Sequence, residues 1–160
     1  MTSACKAARG LAHGVAVRGP GALLAETEAV IAAMAAPPSA GRAALMDNLM
    51  ASLKACGAWG SFDGFYVMAA HHPQAALVNW AAPEGPGLTP VNSPAFHVDS
   101  GYEGDGATSY LDTGLRQGEG RYLPQDHHAG LWAASTSGSG TAWGNSRNRM
   151  VPLSGGALST

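Results

Sequence analysis

The stretch Ala82-Pro-Glu-Gly-Pro-Gly-Leu88 divides the chain into two parts of different composition. Before Pro83 there are 24 alanines in 82 residues, and from Pro83 onward there are only 7 in 78, whereas the glycines rise from 8 to 14. Alanine favours helix, and glycine weakens the interior of both helices and strands. The shift in composition and the clustered Pro and Gly residues therefore predict a domain boundary and a change of architecture here.

Two amphipathic helices are predicted before this boundary. Apolar residues recur at steps of three and four over Ala22–Ala36 and again over Leu45–Cys56, which places one apolar stripe on each helix. Pro37-Pro38 ends the first helix, because proline donates no backbone hydrogen bond. Ser39 is the predicted N-cap of the second helix and Gly57 its left-handed C-cap. Together the two helices form an αα-hairpin.

Shorter elements are predicted on both sides of the boundary. The aromatic and β-branched residues of Phe62–Ala70 favour a short strand. Pro73 is well placed to begin a single helical turn over Gln74–Trp80. After the boundary, four short runs favour strands of an antiparallel β-structure, so that the predicted fold class is α+β. The four runs are Ala95–Val98, Ser109–Asp112, Gly130–Ala134 and Met150–Leu153.

Charge and hydropathy exclude two classes of partner. Charged residues make up 12% of the chain and the net charge is −2 at pH 7, so the clustered Lys and Arg that nucleic acid requires are missing. No apolar run approaches the ~20 residues of a membrane span. We therefore expect neither nucleic acid nor a membrane among the partners. Two cysteines, Cys5 and Cys56, are too few for a disulfide framework.

Histidines and carboxylates raise the question of a metal site. His71-His72 and His127-His128 are neighbours in sequence, a spacing that does not form a ready chelate, so we expect no cofactor from the histidines. Three carboxylates within Asp99–Gly106 have the oxygen chemistry that calcium prefers. Because Gly and Asp are also what tight turns need, a solvated turn is the preferred interpretation, and bound calcium is the secondary hypothesis.

Aromatic and polar residues of the second half have the chemistry of a carbohydrate site. The apolar faces of sugar rings stack on Trp and Tyr, and the sugar hydroxyls pair with Asp and Asn. Each aromatic residue has an alternative role in a core, because buried aromatics are commoner than exposed platforms. The predicted ligand-binding residues are Tyr102, Asp105, Tyr110, Asp112, Trp132, Trp143 and Asn145.

Several stretches resemble virion proteins of tailed phages and prophages. Pro90-Val-Asn-Ser-Pro-Ala-Phe96 and the segment Gly101–Gly114 carry the resemblance, with Met50–Trp59 upstream. It covers about Leu24–Trp132. Within it, Gly104-Asp-Gly-Ala-Thr-Ser-Tyr-Leu-Asp-Thr-Gly114 is similar to an early strand of concanavalin A-like, laminin-G-like sandwiches. That similarity implies a jelly roll that binds surface glycan, sometimes with calcium.

Glycoside hydrolysis is the competing function. It needs two carboxylates that face the scissile bond, and Glu103 and Asp105 would share one face of a strand. Hydrolases on lectin-like sandwiches usually carry a further acid three residues on, where this chain has Thr108. We therefore expect a protein that is not an enzyme, and a hydrolase acting on cell-envelope polysaccharide is the alternative.

The residues and the resemblance together predict two domains. A helical hairpin with a short αβ element occupies residues 22–82, and a partial, jelly-roll-like antiparallel β-sandwich occupies residues 88–160. Only 71 residues run from Pro90 to Thr160, so we expect that either the sandwich is incomplete or homo-oligomerisation finishes it, because an open sheet would leave unpaired edges.

The expected function is that of a phage-derived structural or receptor-binding protein. Its expected partners are a surface glycan and other virion proteins, and its expected location is the phage particle, or the host cytoplasm during assembly. A truncated, inactive prophage product is a further alternative.

Overall fold

The fold is known from a computed structural model that describes residues 21–116, 129–131, 143–144 and 149–150. Within these residues, two α-helices precede short antiparallel strand pairs, which confirms the predicted α+β class. Helix α1 spans Ala25–Ala32, and helix α2 spans Ala40–Ala55. In the described part of the chain, no helix is long and apolar enough to cross a membrane.

Both predicted ends of α2 are confirmed. The Ser39 hydroxyl accepts a hydrogen bond from the Arg42 amide at 3.3 Å, which satisfies one of the unpaired donors at the start of the helix. At the other end, Gly57 has a φ of +75° and stops the helix in the left-handed conformation that glycine adopts without strain. Local sequence therefore fixes where α2 begins and ends.

Helix α1 is shorter than the predicted range of Ala22–Ala36. Residues 33–36, which the prediction included in this helix, form a turn and bends instead. The Gln74 side chain donates to the Ala33 carbonyl at 3.0 Å and accepts from the Ala35 amide at 2.7 Å. A distant side chain thus provides the hydrogen bonds that a longer helix would otherwise make.

The core lies between the two helices and the segment that follows them. Val30 of α1 and Met50 of α2 are completely buried, and they pack with Met46, Val78 and Trp80. Burial of such side chains contributes about 1.5–3 kcal/mol each and is the main stabilising term of this part of the chain. This set of helices and connecting segments, residues 24–88, is called the helical body below.

A polar contact joins the two helices inside the helical body. The buried Asp47 carboxylate accepts from the Thr27 hydroxyl at 2.9 Å and from the Leu24 amide at 2.7 Å. The Leu24 amide lies at the start of α1, where backbone donors have no partner within the helix. Asp47 therefore acts as an N-terminal cap supplied by the neighbouring helix.

The predicted strand over Phe62–Ala70 is wrong. The segment has no regular secondary structure and makes isolated hydrogen bonds instead of a ladder. The Phe65 amide donates to the Asn79 side-chain oxygen at 3.1 Å, and the Phe65 carbonyl accepts from the Trp80 amide at 2.8 Å. The Phe65 ring meets Trp80 edge to face, with centroids 5.9 Å apart. Its aromatic residues serve packing, which is why strand propensity alone misassigned them.

The predicted helical turn over Gln74–Trp80 is confirmed in a tighter form. Ala75–Leu77 is a single 3-10 turn, and Val78 and Trp80 directly after it are buried in the core. A second 3-10 turn, Trp59–Ser61, follows α2.

Residues 89–112 form one long hairpin, called the β-hairpin below. Strand β1 (Thr89–Val91) pairs with β4 (Tyr110–Asp112), and β2 (Ala95–His97) pairs with β3 (Gly101–Glu103), both antiparallel. The β1–β4 pair therefore encloses the β2–β3 pair. Strands β2 and β4 fall inside the predicted runs Ala95–Val98 and Ser109–Asp112, whereas β1 and β3 were not predicted.

A third pair joins β5 (Trp143–Gly144) to β6 (Arg149–Met150). The predicted strand Met150–Leu153 contains the last residue of β6, and its remainder lies outside the described residues. Of the predicted strand Gly130–Ala134, only residues 130 and 131 are described, and they are not in a strand.

The β-hairpin contacts the helical body at its tip and at Tyr102. Where the chain leaves the helical body, the Leu88 amide donates to the Leu77 carbonyl at 2.8 Å. At the hairpin tip, the Asp99 amide donates to the Ala70 carbonyl at 3.0 Å, and the Asp99 carboxylate pairs with Arg42 of α2. Between the tip and Leu88, the Tyr102 hydroxyl donates to the Pro73 carbonyl.

Candidate functional site

Two predicted ligand residues share one face of the β-hairpin. Tyr110 and Asp112 are two apart on β4, so their side chains point to the same side of the strand. Tyr110 is 55% exposed, an unusual degree for an aromatic side chain. Across the β1–β4 ladder, Val91 lies opposite Tyr110 and Thr89 lies opposite Asp112. These four residues are called the β4 face below.

The β4 face combines the groups that a polar ring compound needs. Tyr110 offers an exposed aromatic surface, and Asp112 and Thr89 offer an exposed carboxylate and an exposed hydroxyl beside it. The Asp112 carboxylate accepts a hydrogen bond from the Gly114 amide at 2.9 Å, in a turn where Gly114 has a φ of +64°. This contact holds the carboxylate in one orientation next to the strand.

Thr89 and Val91 were missed by sequence reasoning. Thr89 and Val91 are two residues apart, on either side of Pro90. This spacing is the signal that could have predicted a strand with both side chains on one face. Pro90 weakens that signal because it has no backbone donor, and proline within a run is typical of an edge strand at best. Only the pairing with β4 places the two residues beside Tyr110.

Tyr102 has a structural partner in the helical body. Its hydroxyl donates to the Pro73 carbonyl at 3.1 Å, and its ring packs against Phe96 with centroids 5.1 Å apart. Both rings also contact the small buried cluster of Ala70, Ala75 and Ala76. Burial raises the pKa of the Tyr102 hydroxyl above its usual value. Tyr102 thus connects the β-hairpin to the helical body, and its role in binding a ligand stays a prediction.

Asp105 organises the loop between β3 and β4. Its carboxylate accepts from the amides of Ala107, Thr108 and Ser109 at 2.8–2.9 Å and from the Thr108 hydroxyl at 2.7 Å. Its own amide donates to the Ser109 hydroxyl at 2.7 Å. The hydrogen bonds from the Ser109 and Ala107 amides, followed by those from Thr108, hold the pKa of Asp105 far below its usual range. Its ligand-binding role also stays a prediction.

The same loop is tied to the opposite arm of the β-hairpin. Asn92 donates from its side-chain amide to the Thr108 carbonyl at 2.9 Å. Asn92 and Ser93 have φ values of +55° and +53°, a left-handed conformation that asparagine tolerates better than most residues. The irregular middle of the hairpin is therefore a defined turn, stabilised by this hydrogen bond, that separates the two strand pairs.

The carboxylates considered for calcium point to different partners. The Asp99 carboxylate forms an ion pair with Arg42 of α2. The Glu103 carboxylate lies 2.9 Å from His97 Nε2. Asp105 is occupied by the amides of its own loop. Among the residues that the structure covers, no three His, Cys, Asp or Glu side chains come together as a metal-binding group. The donor set of this loop therefore does not fit a calcium ion.

Three predicted ligand residues cannot be compared with the β4 face. Trp132 and Asn145 lie outside the described residues. Trp143 is placed as the first residue of β5, with its backbone paired to Met150. Of the seven predicted residues, the structure thus brings together Tyr110 and Asp112.

Comparison with known proteins gives no further indication of function. No protein-family model, no curated protein and no solved structure matches the chain. The resemblance to phage virion proteins and to lectin-like sandwiches therefore stays a prediction.

Proposed function

We propose that the second half of the chain binds carbohydrate through the β4 face. The observation that carries this proposal is the exposed Tyr110 ring beside the Asp112 carboxylate and the Thr89 hydroxyl on paired strands. A sugar ring lies with its apolar face on the Tyr110 ring, and its hydroxyl groups donate to Asp112.

The expected affinity of one such face is low. An aromatic contact contributes about 0.5–1.5 kcal/mol, and a hydrogen bond to a charged group contributes about 1.5–3 kcal/mol. Their sum corresponds to millimolar binding. Several copies of the face on one assembly would bind a surface polysaccharide far more tightly, because each further contact is intramolecular. A homo-oligomer is therefore part of the proposal.

The proposal extends to the architecture and the setting of the protein. Residues 88–160 belong to a partial, concanavalin A-like β-sandwich, which other copies complete. The short antiparallel pairs with open edges support this, because unpaired edges favour association with further strands. The assembly is a structural or receptor-binding part of a phage particle, which forms in the host cytoplasm with other virion proteins.

A glycan array with matched variants tests the binding site. Tyr110→Ala removes the aromatic surface, and Asp112→Asn removes the charge but keeps an oxygen that accepts from the Gly114 amide. Tyr110→Ala is expected to weaken binding about two- to tenfold, and Asp112→Asn about tenfold. Val98→Ala is the control, because Val98 is 61% exposed at the far end of the β-hairpin. Equal binding by all four proteins would refute the β4 face as the site.

Enzymatic activity is measured on the same set of proteins. Glu103 and Asp105 are the candidate carboxylates for hydrolysis, and Asp105→Asn and Glu103→Gln remove their charges. Release of sugar from cell-envelope polysaccharide by the unaltered protein, lost in these variants while binding is retained, would establish the hydrolase alternative instead. Rapid hydrogen exchange across residues 125–160, with no glycan bound, would favour the inactive prophage product.

A further inference from the structure

The four carboxylates of the β-hairpin differ in what their oxygen atoms contact. The Asp99 carboxylate forms an ion pair with Arg42, and the Glu103 carboxylate lies 2.9 Å from His97 Nε2. The Asp105 carboxylate accepts hydrogen bonds from three amides and one hydroxyl of its own loop. Three of the four carboxylates therefore have their partners within the chain.

The fourth carboxylate, that of Asp112, keeps a free oxygen. Its Oδ1 accepts from the Gly114 amide at 2.9 Å, and among the described residues no group donates to its Oδ2. No lysine, arginine or histidine in the described part of the chain forms an ion pair with it. The side chain is exposed on β4. A cation from outside the chain therefore meets an oriented carboxylate with one oxygen available.

The Tyr110 ring is a second group that attracts a cation. Tyr110 lies two residues from Asp112 on the same face of β4, which separates the two residues by about 7 Å along the strand. The face of an aromatic ring carries partial negative charge and attracts an ammonium group. Because Tyr110 is 55% exposed, its ring is accessible to such a group.

The charge of the whole β-hairpin has the same sign. Residues 89–112 contain four carboxylates and neither lysine nor arginine, and Arg42 of α2 pairs with Asp99 alone among them. A surface with an excess of negative charge attracts cationic ligands and repels anionic ones. The β4 face is the place on this surface where a free carboxylate oxygen and an exposed aromatic ring coincide.

We propose that the sugar bound on the β4 face is an amino sugar with a free, protonated amine, as in an oligomer of glucosamine. This inference rests on the proposed carbohydrate binding and specifies the class of sugar. The ammonium group donates to the free oxygen of Asp112, and the sugar ring lies on Tyr110. A uronic acid would instead bring its own carboxylate next to that of Asp112.

Three oligosaccharides of equal length test the class of sugar on the full chain. Oligomers of glucosamine, N-acetylglucosamine and galacturonic acid are cationic, neutral and anionic at about pH 6, where carboxyl groups are charged and amines are protonated. We expect the glucosamine oligomer to bind about tenfold more tightly than the N-acetylated one. The galacturonic acid oligomer should bind most weakly. The advantage of glucosamine should shrink as salt is added.

Two variants that each remove one negative charge locate the effect. Asp112→Asn removes the carboxylate of the β4 face, and we expect the preference for glucosamine over N-acetylglucosamine to fall to about threefold, which is the share of the aromatic ring. Glu28→Gln is the matched control, because it removes an exposed carboxylate from α1 of the helical body. It should leave the preference unchanged.

A tetralysine peptide separates the sugar from the charge. It has ammonium groups but no ring with an apolar face to lie on Tyr110, so we expect it to bind about fivefold more weakly than the glucosamine tetramer. Equal affinity for the two would overturn the proposal, since the β4 face would then recognise ammonium groups in general.

The other outcomes separate this inference from the proposed function. Equal affinity for the glucosamine and N-acetylglucosamine oligomers, weakened in Tyr110→Ala, would overturn the amino-sugar inference and leave carbohydrate binding on the β4 face in place. A preference that Asp112→Asn and Glu28→Gln reduce equally would also overturn it, because overall charge would be the cause. Binding of none of the three oligomers would overturn it as well, and a glycan array without any bound glycan would in addition refute the proposed function.

Discussion

The helical body and the β-hairpin are stabilised in different ways. In the helical body, Val30 and Met50 lose all contact with solvent, and polar groups such as Asp47 are buried with partners. In residues 89–112, Gly101 is the one buried residue, and the remaining side chains are partly or largely exposed. The hairpin instead relies on hydrogen bonds within its loops and on a few contacts with the body. Global stability should therefore depend on the body, whereas changes in the hairpin should have local effects.

The largest expected effect is in the centre of the helical body. Met50→Ala removes a completely buried side chain, and we expect the free energy of unfolding to fall by about 2–5 kcal/mol, from lost burial and from the cavity left behind. Chemical denaturation measures the loss. Leu45→Ala is the control on the same helix, because Leu45 is 70% exposed, and it should change stability by about 0.5 kcal/mol or less. Equal losses for the two variants would contradict the core assignment.

A second substitution tests the polar contact between the helices. Asp47→Ala leaves the buried Thr27 hydroxyl without its acceptor, and we expect a loss of about 1–3 kcal/mol in the free energy of unfolding. Thr27→Val keeps the shape of the side chain and removes only the hydroxyl, so its effect should be smaller. If Thr27→Val proved the more harmful change, the role of Asp47 at the start of α1 would have to be abandoned.

The contact between hairpin and body is tested at Gly101. This residue has a φ of +101°, and an added Cβ would lie 3.2 Å from the Met68 Cβ. Gly101→Ala is expected to destabilise the contact between the hairpin tip and the helical body by about 1–3 kcal/mol. The loss would be measured as faster hydrogen exchange of the Asp99 amide, which donates to the Ala70 carbonyl of the helical body. Gly41→Ala, in open space on α2, should stabilise the protein slightly. Unchanged hydrogen exchange of the Asp99 amide in the Gly101→Ala protein would show that close packing at Gly101 does not hold the hairpin tip on the helical body.

The smallest global effect is expected at Asp105. Asp105→Ala should accelerate hydrogen exchange at Ala107, Thr108 and Ser109 and leave the unfolding midpoint nearly unchanged, because the loop is exposed. If this variant lowered the unfolding midpoint as much as Met50→Ala, the difference in stabilisation between the helical body and the β-hairpin would be disproved.

The pH dependence of the same loop follows from the lowered pKa of Asp105. The contribution of its carboxylate is fully present above the ordinary pKa of 3.8 and is lost only as the pH falls through the lower folded value. The loop amides should therefore keep their native NMR shifts when the pH is lowered through 3.8. A midpoint at the ordinary value would mean that these hydrogen bonds are absent in solution.

Local sequence was sufficient wherever one residue controls the backbone. Ser39 and Gly57 determine the ends of α2, because an N-cap hydroxyl and a left-handed glycine act on their own turn. The periodicity predicted the apolar stripe of α1. It did not predict where α1 ends, because the end depends on Gln74, about 40 residues away, which donates to the Ala33 carbonyl. Asn79 likewise binds Phe65 and leaves the segment Phe62–Ala70 without a ladder partner.

The candidate site divides in the same way. Tyr110 and Asp112 were identified from residue chemistry, and their shared face follows from the two-residue period of a strand. Thr89 and Val91 join them only through the pairing of β1 with β4, and Tyr102 is drawn toward the Pro73 carbonyl in the helical body. A cavity of about 130 Å³ lined by Met46, Val67 and Trp80 has no signature in the sequence, since its walls come from separate segments.

The sequence by itself determined the α+β class, the two helices and the chemistry of the exposed aromatic and acidic residues. These properties arise from periodicity, capping and residue type, which act over a few neighbouring residues. The tertiary structure decided which strands pair, which polar groups receive distant partners and where a cavity remains. Those outcomes depend on contacts between segments far apart in the chain, whose free energy is gained only when the whole body packs together.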